Sequence, residues 1–271
     1  MSSNGGRPAT FRIAVVGGGN MGSALVGGLL ARDVVTAAEL VIVEVDESKR
    51  TELGGRFEGV TVVAETPRCE SAIIAVKPQH VEEAVRSVVA AGARRILSIA
   101  AGVTIARLEA AAGPGVAVVR SMPNTPALVG EGASALSAGG EAGRDDVEWA
   151  MRILGSVGVV VEVPEEQLDA VTGLAGSGPA YVFSMAEALM EAGRGVGLPN
   201  DVVDVLVRQL LVGSAALLAE GDDPVELRRR VTSPGGTTAE GVKELEARDL
   251  RGAIVAAVEA ATRRSRELGA S

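Results

Sequence analysis

The chain has 271 residues, of which 47% are apolar and 2% aromatic, and its formal net charge is −9. That length exceeds what one hydrophobic core usually fills, so two domains are expected, and so acidic and ring-poor a chain argues against a nucleic-acid reader or an anionic-membrane binder. One cysteine, Cys69, and one histidine, His80, leave no internal disulfide and no Cys/His zinc cluster, so no metal site is expected.

Residues 1–10 are polar and glycine-rich and read as a disordered start. No basic segment leads into an apolar run with a cleavage site, so no signal peptide is read and a cytoplasmic protein is expected. Phe11–Val16 reads as a strand, Asn20–Arg32 as a helix, Leu40–Val45 as a second strand and Glu47–Arg56 as a helix. Strands follow at Val60–Val63, Ser71–Val76, Arg95–Ile99 and Val116–Val119. Helices over Val81–Ala91 and Thr104–Ala111 fall between them. Two further strands, near Ala133–Leu136 and Val157–Val161, flank a helix over Arg144–Leu154. Near-continuous apolar strands alternating with helices predict a mostly parallel, doubly wound sheet covered on both faces. The fold class is therefore an α/β Rossmann domain over 11–164, followed by an all-α domain over 165–271.

That second part shows no strand pattern. Helices are expected over Leu168–Val196, Asp201–Ala219, Pro224–Val231, Thr238–Ala247 and Leu250–Leu268. The stretch Val202–Ala219 is apolar all round, which marks a buried helix. Asp204, Arg208 and Gln209 argue against its crossing a bilayer. About 105 residues do not easily bury several such helices, so a second copy of the chain is expected to complete the domain.

Gly17-Gly18-Gly19-Asn20-Met21-Gly22 follows the first strand and opens a helix, the context a dinucleotide-binding turn requires. Gly17 makes the tight turn, Gly19 lets backbone approach a pyrophosphate, and Gly22 lets the helix pack on the strand. The anion would then meet N–H groups at the helix N-terminus. Glu44 stands twenty-two residues after Gly22, and Asp46 follows. Carboxylates there suit ribose hydroxyls and repel a 2′-phosphate, which favours NADH over NADPH. Ser48, Lys49 and Arg50 lie near enough to hold a phosphate and keep NADPH open.

Four further strings follow in order: AVKPQ (75–79), RSMPNTPA (120–127), AGSGPAYVF (175–183) and TSPGGTT (232–238). With GGGNMGSAL, this combination resembles the pyrroline-5-carboxylate reductase family over almost the whole chain. The resemblance implies an NAD(P)H-dependent oxidoreductase that reduces 1-pyrroline-5-carboxylate in the last step of proline synthesis. It also implies a homodimer and, in many members, a decamer built as a pentamer of dimers. One departure stands out. The family often carries an Asn/Arg/Ser segment after the second strand, where this chain has Glu44-Val45-Asp46.

Site residues follow from the same reading. Ala75, Val76, Lys77 and Pro78 close the fourth apolar strand at a sheet edge where ligands bind, and the resemblance places them on the cofactor. The small residues Ala100 and Ala101 would let a nicotinamide approach the backbone. Met122 and Asn124 are expected to shape the nicotinamide and imine pocket. Ser233, Gly235, Gly236, Thr237 and Thr238 make an anion nest at a helix start, suited to the substrate carboxylate. The resemblance favours Thr238 as the hydrogen-bond donor to the imine nitrogen, for orientation more than proton supply. Thr237 is also readable as a simple helix cap. Pro179 is expected to open a new turn, and Glu165 and Glu166 to form a solvated acidic turn. Two other readings remain: another imine reductase or β-hydroxyacid-dehydrogenase-like enzyme, or a non-enzymatic NAD(P)-binding sensor. The helices from Leu168 to Ala219 contain no lysine, which counts against an acid/base lysine of the hydroxyacid type.

Overall fold

The computed structural model describes residues 10–269, so the expectation for the first ten residues lies outside them except at Thr10. Eight strands form one sheet: β1 (Phe11–Val16), β2 (Leu40–Val43), β3 (Thr61–Val63), β4 (Cys69–Ile74), β5 (Arg95–Ser98), β6 (Ala117–Met122), β7 (Gly132–Ala138) and β8 (Gly158–Glu162). Their spatial order is β3-β2-β1-β4-β5-β6-β7-β8. Every neighbouring pair is parallel except β6 and β7. Strand order reverses beside β1, which opens a crevice at the carboxyl ends of β1 and β4.

Alternate residues of each strand point to opposite faces, and both faces are buried. Ile13, Val15, Ile42, Ile73 and Leu97 pack on one side with α1 (Asn20–Ala31), Leu53 of α2 (Glu47–Arg56) and α5 (Arg144–Gly155). Ala14, Val16, Val43, Ile74 and Ile96 pack on the other with α3 (Val81–Ala90) and α4 (Ile105–Ala112). Each fully buried leucine or isoleucine here contributes roughly 1.5–3 kcal/mol. That two-sided burial is why the strands read as apolar runs without alternation.

The remaining helices are α6 (Leu168–Val171), α7 (Gly178–Gly195), α8 (Asn200–Ala219), α9 (Pro224–Arg230), α10 (Thr237–Ala247) and α11 (Leu250–Gly269). The chain divides into two units, Gly178–Glu259 and the remainder on either side of it. In the smaller unit α8 buries only Val203 and Val207 among the described residues. Val205, Leu206, Leu210, Val212, Leu217 and Leu218 are exposed. By length and composition α8 could span a membrane, yet it carries an Arg208–Asp204 ion pair at 2.9 Å.

Three local expectations are corrected. β2 stops at Val43, and Val45 beyond it is exposed. β6 runs on to Met122, because β7 pairs Arg120 with Ser137 and Met122 with Ala135 across the antiparallel edge. Arg120–Met122 are thus strand and not loop. The helix expected from Leu168 widens into a π turn over Thr172–Gly176, with the Ser177 N–H reaching back to the Thr172 carbonyl at 2.8 Å. α7 then begins at Gly178, so Pro179 is its second residue and not its first.

Candidate active site

The glycine turn is built by close packing. Gly17 has φ +102°, and a Cβ there would lie 2.6 Å from the Ala75 carbonyl oxygen. A Cβ on Gly22 would lie 2.0 Å from the Gly17 carbonyl oxygen. Both positions therefore exclude a side chain, and Ala75 is the wall against which the turn folds. A Cβ on Gly18 would instead meet the methyl end of the Leu53 side chain, which can shift where a backbone carbonyl cannot. Gly19 differs, since a Cβ there would meet nothing within 4 Å. Protein packing does not require glycine at 19, whereas close approach of a ligand does. The first intrahelical bond of α1 runs from the Ser23 N–H to the Gly19 carbonyl. The N–H groups of Asn20, Met21 and Gly22 precede it, as an anion at a helix start requires. The Met21 side chain packs toward the core, leaving its backbone as the part offered to a ligand.

Glu44 is buried, with 8% exposure, and is not a solvated charge at the strand end. One carboxylate oxygen accepts the Gly18 N–H at 3.0 Å and the other accepts the Asp46 N–H at 3.1 Å. Asp46 caps α2, accepting the N–H groups of Ser48 and Lys49 at 2.9 and 3.2 Å. Hydrogen bonds from the Ser48 side chain, then from the Lys49 backbone, hold the Asp46 carboxyl below its usual range. Arg50 turns back to the carbonyls of Glu44 and Val45 at 3.0 and 2.8 Å.

Beyond Glu44 lies a feature that sequence reasoning missed. A groove of about 800 Å³ opens beside the ends of β2, β3 and β4. Val45, Ala64, Thr66, Val76, His80 and Ser87 are among its lining residues, and the Ser87 hydroxyl bonds to Thr66 at 2.8 Å. Its size is that of a small-molecule pocket. Nothing in the spacing of Ala64–Thr66 pointed there. Lys77 and Pro78 are exposed at the rim, where Pro78–His80 forms a short 3-10 turn.

Ala100 is buried and Ala101 exposed on the segment after β5. Asn124 is engaged within the protein. Its amide donates to the Ala175 carbonyl at 3.1 Å, and its oxygen accepts the Ala133 N–H at 2.8 Å. It ties the segment between β6 and the 3-10 turn Thr125–Val129 to β7 and to the π turn. Met122 abuts Gly176, where a Cβ would lie 2.8 Å from the methionine methyl. Glu165 is not solvated as expected. It accepts from Arg120 at 2.8 Å and from the Ile105 N–H at 2.7 Å, because Arg120 is buried and needs a counter-charge.

In the helical unit, Gly236 caps α10 and Thr237 is its first residue, so Thr237 is not the cap. Gly235 has φ +71°, and a Cβ on Gly236 would lie 2.5 Å from the Ser233 hydroxyl. The two glycines thus allow the turn, which the Gly236 N–H closes on the Ser233 carbonyl at 3.0 Å. Ser233, Gly235, Thr237 and Thr238 are exposed around it. Among the described residues no group of three or more metal-ligating side chains occurs.

A doubly wound sheet with a glycine turn, a helix start and an acidic strand end around one crevice defines a Rossmann-type dinucleotide-binding protein. Comparison with known proteins narrows the class. A family model described as pyrroline-5-carboxylate reductase dimerisation matches residues 165–268, and one described as NADP oxidoreductase coenzyme F420-dependent matches 12–102. A pyrroline-5-carboxylate reductase from Synechocystis sp. is 40% identical over 96% of this chain and 99% of its own. The structure of a pyrroline-5-carboxylate reductase from Coxiella burnetii is 33% identical, with TM-score 0.88, over 96% of this chain and 99% of that one. A Plasmodium falciparum pyrroline carboxylate reductase, solved with NADP bound, is 29% identical, with TM-score 0.83, over 96% and 98%. The chain belongs to the pyrroline-5-carboxylate reductase family.

Proposed function

We propose that this chain reduces 1-pyrroline-5-carboxylate to L-proline, the last step of proline biosynthesis, as a cytoplasmic enzyme. The observation that carries the reading is one chain holding both the nucleotide crevice and the exposed Ser233–Thr238 turn. A bound nicotinamide cofactor supplies hydride to the ring carbon of the C=N bond. The protein orients and holds charge. Gly17–Gly22 receive the pyrophosphate on backbone N–H groups. Ala75–Pro78 and the groove at Val45 and Val76 support the nucleotide, with Ala100 and Ala101 toward the nicotinamide. Met122 and Asn124 shape the pocket wall. The Ser233, Gly235, Gly236 and Thr237 turn holds the substrate carboxylate. The Thr238 hydroxyl meets the ring nitrogen, and because a hydroxyl both donates and accepts it serves the neutral and the protonated imine.

The cofactor reading favours NADH. Asp46 already occupies the Ser48 and Lys49 N–H groups at the start of α2 and keeps its charge, so a 2′-phosphate would meet a carboxylate where it needs donors. Arg50 is engaged with backbone carbonyls. The exposed apolar residues of the Gly178–Glu259 unit fit a homodimer interface, with further assembly into a decamer of five dimers. As an interface helix, α8 has its apolar faces covered by protein and not by lipid. The test is oxidation of NADH and NADPH in parallel on addition of pyrroline-5-carboxylate. Proline formed with higher kcat/KM for NADH is expected. No proline with either cofactor would reject the reading.

A further inference from the structure

The Arg120–Glu165 pair has no part in the site as described above. Arg120 lies in β6, two residues before Met122, and is 6% exposed. A guanidinium that deep is strongly destabilising unless paired. Glu165 supplies the charge across 2.8 Å, and the same carboxylate oxygen accepts the Ile105 N–H at 2.7 Å. Ile105 is the first residue of α4, where the helix start favours a negative charge.

The position of that bond matters. Only residues 99–104 separate the end of β5 from Ile105, and they include Ala100 and Ala101. At the β5 end, the Ala100 N–H points to the Ser98 hydroxyl at 3.5 Å. At the α4 end, Thr104 caps the helix and Glu165 grips Ile105. One carboxylate thereby ties this short segment to β6, the strand that ends in Met122. Buried ion pairs are often replaceable by apolar residues without loss of stability. A stability role alone therefore does not require charge at a β6 position that lies between Val119 and Ser121.

We propose that Glu165, held in place by Arg120, is a positioning residue: it sets how closely residues 99–104 approach the nicotinamide and so controls the geometry of hydride transfer. The proposal rests on the reading of Ala100 and Ala101 as the nicotinamide side of the site.

The test uses the full chain and two variants, Glu165→Gln and the double variant Arg120→Met/Glu165→Gln. The single variant is expected to melt lower, since it leaves Arg120 unpaired. The double variant removes both charges and is expected to melt close to the parent. Its kcat is nevertheless expected to stay about tenfold or more below the parent, with the imine KM within about twofold, as misplacement of reacting groups predicts. Bound NADH fluorescence, which needs no imine, is expected to differ between parent and double variant. Recovery of parental kcat together with the melting point would overturn the proposal. If the parent itself forms no proline, the reductase reading fails separately, and unchanged NADH fluorescence in the double variant would then overturn the positioning role.

Discussion

Glu44 accepts the backbone N–H of Gly18 at 3.0 Å, so the carboxylate that ends β2 stitches the glycine turn in place. Glu44 thus shapes the turn, while Asp46 caps α2 and, in the proposed NADH site, would set the charge beside the ribose. Glu44→Ala is expected to leave the Gly18 N–H unsatisfied, costing about 1–3 kcal/mol and weakening both cofactors alike. Asp46→Asn is expected to spare the fold and raise kcat/KM for NADPH relative to NADH by about tenfold through relieved repulsion. Melting curves and parallel cofactor kinetics separate the two effects. An Asp46→Asn protein with the parental cofactor ratio would sink the charge argument.

Gly22 and Gly19 answer differently to the same methyl group. Gly22→Ala drives a Cβ onto the Gly17 carbonyl and is expected to destabilise by about 3 kcal/mol, at the upper end of overpacking costs. Gly19→Ala meets no protein atom at an ordinary φ of −67° and is expected to change stability by less than about 1 kcal/mol. It should still weaken NADH by tenfold or more, about 1.4 kcal/mol, because the methyl occupies the pyrophosphate approach. Thermal melts and NADH titration read the contrast, and undiminished NADH affinity in Gly19→Ala would refute it.

Thr238 offers a hydroxyl at the second position of α10. Thr238→Ala is expected to lower kcat/KM for the imine by about ten- to a hundredfold, the worth of a hydrogen bond to a charged group. Thr238→Ser should restore most of it, and NADH affinity should not change. Parental kinetics in Thr238→Ala would remove the residue from the mechanism.

Leu206, Leu210 and Leu217 are each more than half exposed on α8. An apolar surface of that kind is not left in water. Light scattering at micromolar concentration is expected to find dimers or larger assemblies. Leu210→Arg should shift the mass toward the monomer and reduce turnover. A monomeric parent protein would contradict the expected interface.

Cys69 begins β4 and is buried, and loss of solvation pushes its thiol up to about 11. A raised native value means a contribution present below the ordinary 9.0 and lost as pH climbs from there toward 11. Folded protein should therefore resist thiol reagents at pH 8 and react fully once unfolded. Asp46, Glu82 and Glu226 work in the opposite sense. Their native values are lowered by hydrogen bonds, chiefly from Ser48, Arg107 and Arg229 respectively. Their contributions are present above the ordinary 3.8 and 4.5 and fade as pH falls through the lowered values. A melting point flat from pH 6 to 8 and falling on both outer sides is expected.

Much of the sheet was legible because its strands are buried on both faces. Ile13 with Val15 and Ala14 with Val16 serve opposite cores, so the run Phe11–Val16 is apolar throughout. The glycine turn was legible because two of its constraints are local: Gly17 takes φ +102°, and a Cβ on Gly22 would meet the Gly17 carbonyl; the Ala75 wall behind Gly17 is a long-range addition. The true length of β6 was not, because Arg120–Met122 are held as strand by partners Ala135–Ser137, which lie beyond the intervening loop. The role of Glu165 was hidden for a similar reason, since Arg120 lies 45 residues away in sequence. An isolated Glu165-Glu166 pair reads as a solvated turn until its partner is known.

The chain by itself determined the alternation of strand and helix, the glycine turn, the helical second half and the motif order that marks the family. These depend on local sterics and on periodic burial, which neighbouring residues carry. Tertiary structure alone decided which carboxylate does what. Glu44, Asp46 and Glu165 are chemically near-equivalent on paper. Folding spends the first on the Gly18 N–H, the second on the start of α2 and the third on a buried arginine and the start of α4. A carboxylate's role is set by which donors reach it within hydrogen-bonding distance, and that is a property of long-range packing.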